Sequence, residues 1–178
     1  MGRIILVYGV LAGVTVAVLM RIAMMLFPDG GTDGVIAGFL SMSIALTFVF
    51  VGVKRYRDLE LGGVIRFGKA LVVGFGIAAI ATVIYVAAWE LYLYFTNYTF
   101  MDEYTHIALE QAQEAGKSAS EMAALSKEMD SFKALYANPL TRTAVTAMEI
   151  SPVAILMPLI SAALLRNSRF MPAKASAA

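Results

Sequence analysis

The chain reads as an all-α integral membrane protein, a four-helix bundle with an amphipathic helical hairpin inserted outside the bilayer between the third and fourth spans. Three observations predict this. Of 178 residues, 60% are hydrophobic and 15% charged, and mean hydropathy is +0.74; a soluble domain is about half apolar and a quarter charged. Four segments, 4–27, 35–53, 70–95 and 144–165, reach the roughly 20 apolar residues that cross a hydrocarbon core. The long remaining segment, 96–141, is polar yet keeps a helical repeat. One membrane domain therefore accounts for residues 1–178.

The first span follows Arg3 and is longer than the roughly 7–15-residue core of a signal peptide, with no Ala-x-Ala pattern after it, so it reads as retained. It tolerates Arg21. Thirteen Leu, Ile, Val and Phe residues in 4–27, at about −0.3 to −0.6 kcal/mol each, outweigh the roughly +2.5 to +3.5 kcal/mol of a central arginine. Pro28, Asp29, Gly30, Gly31, Thr32, Asp33 and Gly34 form a turn that cannot continue a helix, which makes the first two spans an antiparallel pair. Gly9 with Gly13, Gly34 with Gly38, and Gly74, Ala78 and Thr82 give small-residue faces for close helix packing, internal to the chain or between subunits.

Orientation comes from the basic residues. Arg3, the loop residues Lys54, Arg55, Arg57, Arg66 and Lys69, and Arg166, Arg169 and Lys174 all fall on one side, which the positive-inside rule makes cytoplasmic. Both termini are then inside, and the tail 171–178, without periodicity, is expected to be disordered. Beyond setting topology, the basic loop suits anionic lipid head groups or a cytoplasmic partner.

Outside, Met122, Leu125, Met129, Phe132 and Tyr136 recur at 3-4-3-4 spacing, one stripe of a helix. Phe100, Tyr104, Ile107 and Gln111 mark a weaker one, and Gly116-Lys117-Ser118 separates the two. Ser118-x-x-Glu121 fits a capping box at the start of the second helix. Asn138-Pro139 ends that helix and caps the fourth span, proline being tolerated in a first turn.

Three ionisable residues fall inside spans. Arg21 and Glu90 each precede a boundary (Pro28, Asn97) by seven residues, and Glu149 follows Arg142 by seven. At 1.5 Å per residue each lies about 10 Å from the outer edge. Unpaired charge in hydrocarbon is costly, so an Arg21–Glu90–Glu149 cluster is expected, either fixing helix register or, through its surplus carboxylate, handling a proton or cation. Pro152 and Pro158 are placed to kink or open the helix beside Glu149. Trp89, Tyr92, Tyr94 and Tyr98 fit an outer interfacial aromatic belt.

Several functions lack their residues. A net charge of +1 and the absence of a zinc-finger spacing or basic helix give nucleic acid no footprint. With no cysteine there is neither a disulfide nor a thiolate metal site. Glu103-x-x-His106-x-x-x-Glu110 offers too few metal ligands, His106 being the sole histidine, and reads as a solvated face. No phosphate loop, Ser/His/Asp set or HExxH occurs, so no cofactor, metal or catalytic residue is assigned.

Tyr56-Arg57-Asp58, Gly62-Gly63, Phe67-Gly68-Lys69-Ala70, Tyr85, Trp89-Glu90, Phe100-Met101-x-x-Tyr104, Asn138-Pro139, Thr146-x-x-Glu149-x-x-Pro152-Val153 and Leu164-Leu165-Arg166 together resemble the bacterial membrane family called domain of unknown function 4199. The resemblance implies a four-helix protein of the bacterial inner membrane with an extracytoplasmic helical insertion, and it brings no activity. The function expected is a non-enzymatic assembly or interaction component, its partners the lipid bilayer and a second copy or another membrane or periplasmic protein. The alternative is an oligomeric proton- or cation-coupled transporter or channel subunit using Glu90 and Glu149. An enzyme acting on lipid is a third class without a nucleophile to support it.

Overall fold

The computed structural model of the chain describes residues 1–28 and 30–173. Asp29 of the first turn, and Lys174 with the rest of the expected disordered tail to 178, lie outside the described residues. The described residues form six helices, in order α1 (Gly2–Leu26), α2 (Gly31–Glu60), α3 (Phe67–Phe95), α4 (Phe100–Glu114), α5 (Ala119–Ala137) and α6 (Pro139–Leu165). No strand occurs among the described residues. Four of the six, α1, α2, α3 and α6, are long and apolar enough to cross a membrane.

These helices outrun the apolar spans. Helix α2 continues seven residues past Val53, helped by Lys54 and Asp58, an i,i+4 ion pair on its surface. Helix α6 begins five residues before Ala144, where the Asn138 side chain accepts from the Leu140 amide at 2.9 Å and Pro139 takes the first helical position. Apolar counting finds the part of a helix that suits hydrocarbon, and caps decide where the helix ends.

The chain forms two compact units, one of Met1–Val86 with Ala147–Ala178 and the other of Ala87–Thr146. The first has a core of small and branched side chains, among them Ala12, Val16, Ala45, Val49, Val53, Ala70, Val73, Ile77, Ala81, Ile150, Ala162 and Leu165. Glycines set its helix spacing. A Cβ on Gly9 would stand 2.6 Å from Ile80 Cβ, one on Gly13 2.6 Å from Ile84 Cβ, and one on Gly74 3.0 Å from Pro158 Cβ. The Gly9/Gly13 face and Gly74 thus serve packing of α1 and α6 on α3, the internal use of such faces. Gly38 has nothing within 4 Å. Outward, Leu6, Val10, Val14, Val18, Val35, Ile36, Leu40 and Ile155 leave an apolar surface, the kind that lipid covers.

In the second unit α4 and α5 pack together, joined through Gly116 in the left-handed region at φ +71°. The capping box forms: Ser118 Oγ accepts from the Glu121 amide at 3.4 Å, and Glu121 Oε2 accepts from the Ser118 amide at 2.8 Å. Met129 is buried, and Met122, Leu125, Phe132 and Tyr136 are half-buried beside it, as a single apolar stripe requires.

Candidate functional site

The turn from α3 into α4 shapes the second unit. The Tyr98 amide donates to Leu93 O at 2.8 Å and the Asn97 amide to Tyr94 O at 3.2 Å, the two bonds of a Schellman ending. Asn97 (φ +51°) takes the left-handed position usually held by glycine, and Tyr98 (φ +60°) follows it into the same region. A bulky residue held there is strained, and the phenol ring has a use: the Arg142 guanidinium lies over it, 5.0 Å from the ring centre.

Arg142, in the first turn of α6, is buried. Its Nε donates to Glu90 Oε1 at 2.8 Å and a terminal nitrogen to Glu90 Oε2 at 2.6 Å, a two-pronged pair, while the other terminal nitrogen donates to Tyr136 O at 3.0 Å. One guanidinium therefore ties α3, the end of α5 and the start of α6. Alongside, buried Trp89 donates from Nε1 to the Tyr136 hydroxyl at 2.9 Å and meets Phe100 edge-on with centroids 4.8 Å apart. Tyr92, Tyr104 and Phe132 extend this aromatic cluster. Of the four aromatics expected at the interface, Trp89 turns inward and Tyr94 and Tyr98 stay exposed.

A cavity of about 200 Å³ opens here, lined by Leu93, Tyr98, Met101, Asp102, Lys133, Tyr136, Ala137 and Arg142. Lys133 and Asp102 are ion-paired at its edge, both exposed. Their contact, led by the hydrogen bond, holds the Lys133 ammonium above its ordinary pKa.

In the first unit the charged residues divide differently. Glu149 accepts a hydrogen bond from the hydroxyl of buried Tyr85 at 3.1 Å. Arg21 lies on α1, exposed and with interactions of its own. Among the basic-loop residues Arg57 is completely buried. It donates to the carbonyl oxygens of Leu165 (3.5 Å), Phe170 (3.0 Å) and Met171, and its Nε donates to Asp58 Oδ1 at 2.7 Å. These carbonyls lie at and beyond the end of α6, so Arg57 caps that helix and holds the segment after it. Arg55, Arg66 and Lys69 remain exposed.

Two contributions were missed by sequence reasoning. The apolar run of the fourth span starts at 144 and leaves Arg142 outside it, whereas the Asn138-Pro139 cap puts Arg142 in the first turn of α6. Arg57 carries the same sequence signal as its basic neighbours, and only the return of residues 165–171 to its side distinguishes it. Among the described residues no group of three Asp, Glu or His side chains is placed to hold a metal, and His106 contacts Glu110 at 3.3 Å on an exposed face.

No curated protein and no solved structure matches the chain. A family model does, over residues 7–167, which takes in α1 from Val7 onward, all of α2, α3 and α6, the α4–α5 pair, Glu90, Arg142 and Arg57. With nearly the whole length accounted for, this helical chain belongs to the family described as Protein of unknown function (DUF4199).

Proposed function

We propose that the protein is a non-enzymatic assembly or interaction component of a bacterial inner membrane, with both termini in the cytoplasm and α4 and α5 presented as a rigid helical hairpin to a partner on the other side. The observation that carries this reading is the Arg142–Glu90 pair. Both carboxylate oxygens are taken by one guanidinium that also holds the Tyr136 carbonyl. Such a fork fixes direction as well as distance, so the hairpin is held at its base by charge rather than by a loop. The polar face of α5, with Ala124, Lys127, Glu128 and Ser131 exposed, is the surface so presented.

A photo-crosslinking residue placed at Ala124, Lys127 or Ser131 in native membranes tests the proposal. One discrete adduct of constant mass is expected from this face, and none from Leu59 near the end of α2. Absence of any adduct overturns it.

A second reading, a transporter or channel subunit, draws on Glu149, which lies in a membrane-length apolar helix and accepts a hydrogen bond from the Tyr85 hydroxyl. Glu90 contributes little to that reading, since Arg142 occupies it. Proton flux into liposomes that Glu149→Gln abolishes, in a variant that still folds, would establish this second function.

A further inference from the structure

We propose that the cavity between the end of α3 and the α4–α5 pair is a binding site for the amino-phosphate head group of a phosphatidylethanolamine-type lipid. The inference rests on α3 and α6 crossing the bilayer and needs no protein partner. Three features converge on it. The lining residues Leu93, Tyr98, Ala137 and Arg142 sit where α3 ends and α6 begins, which for membrane-crossing helices is the depth of head groups. The volume, about 200 Å³, suits a head group and falls short of the roughly 300–1,000 Å³ of sites for larger molecules.

Charge selects among head groups. Arg142 is balanced by Glu90 and Lys133 by Asp102, so the site is neutral as it stands. An anionic head group would add an unbalanced charge, and a zwitterion adds none. The Lys133–Asp102 pair is exposed and therefore weakly held. A zwitterion can enter it, giving its ammonium to Asp102 and its phosphate to Lys133. Arg142 uses three of the five N–H groups of a guanidinium on Glu90 and Tyr136, leaving two for the same phosphate. A primary ammonium donates hydrogen bonds to Asp102, which a quaternary choline cannot do.

The test is native mass spectrometry of the full chain in a non-ionic detergent, offered equal amounts of phosphatidylethanolamine, phosphatidylglycerol and phosphatidylcholine. Preferential retention of phosphatidylethanolamine is expected. Ala137→Phe, which fills the cavity without altering charge, should lower it about tenfold, the scale of losing one charged hydrogen bond. Asp102→Asn should shift the preference toward phosphatidylglycerol, and it keeps the proposal open to refutation if Ala137→Phe fails to fold. Equal retention of the three lipids, or retention unaffected by both substitutions, overturns the proposal. Competition by soluble O-phosphoethanolamine at concentrations equal to the lipid would overturn the membrane source and leave a site for a soluble ester. A hairpin without a crosslinked partner leaves these outcomes unchanged, so the two ideas fail separately.

Discussion

Arg142 does at one residue what a loop alone cannot. Its planar fork matches the Glu90 carboxylate while a third donor reaches Tyr136 O, and the guanidinium lies over the ring of a tyrosine held in left-handed backbone. Lysine carries the same charge as a single point and cannot meet these partners together. Arg142→Lys should therefore destabilise the protein by about 1–2 kcal/mol through lost hydrogen bonds. Arg142→Met leaves Glu90 without its counter-charge. Because the Glu90 side chain is 27% exposed, the cost belongs at the low end of broken buried pairs, about 3 kcal/mol. Thermal unfolding in detergent should rank wild type above Arg142→Lys above Arg142→Met. A lysine variant as stable as wild type would show that charge alone holds the junction. Arg57 obeys the same logic with carbonyls added to a carboxylate, since this buried guanidinium gives one donor to Asp58 and the others to oxygens at and beyond the end of α6.

Among the elements, α5 has the end chemistry most easily tested. Hydrogen bonds from the Ser118 hydroxyl and amide hold the Glu121 carboxyl below its ordinary value of 4.5. A carboxylate whose pKa is depressed on folding stabilises the folded form fully above its unfolded value, and loses that contribution as pH falls through the lower folded value. Protection of the amides at residues 119–123, taken relative to the intrinsic exchange rate at each pH, should thus be highest at neutral pH and fall as the pH drops below 4.5. Ser118→Ala should speed the same amides at neutral pH and remove most of the acid dependence. Unchanged acid dependence in Ser118→Ala would assign the effect to another carboxylate. The capping box was legible in advance because its four residues are contiguous and its bonds local. The start of α6 was legible from Asn138-Pro139 for the same reason. The Schellman ending of α3 was harder to see, because it uses asparagine and tyrosine where glycine is the usual signal.

At the scale of the whole molecule, the small-residue faces separate into those that are used within the chain and those that are not. Gly9→Ala forces a Cβ to within 2.6 Å of Ile80 Cβ, a branch point with no freedom to move aside, and should cost about 1–3 kcal/mol. Gly38→Ala meets nothing within 4 Å inside α2 and should leave stability unchanged or raise it by up to about 1 kcal/mol. Denaturant titration of the two variants in the same detergent checks the contrast, and equal losses would contradict the packing of α1 on α3. From the sequence, both glycine pairs looked alike, as did Arg57 and its basic neighbours. What the sequence by itself determined is the helical class, the four long apolar segments, the position of the α4–α5 pair and its caps, because these follow from apolar run length, from 3.6-residue periodicity and from hydrogen bonds between near neighbours. Which charges meet was decided only by the tertiary structure: Glu90 with Arg142, Glu149 with Tyr85, and Arg57 with the carbonyls that end α6. Their partners lie between 52 and 114 residues apart, and no run length or local repeat specifies how helices rotate to face one another.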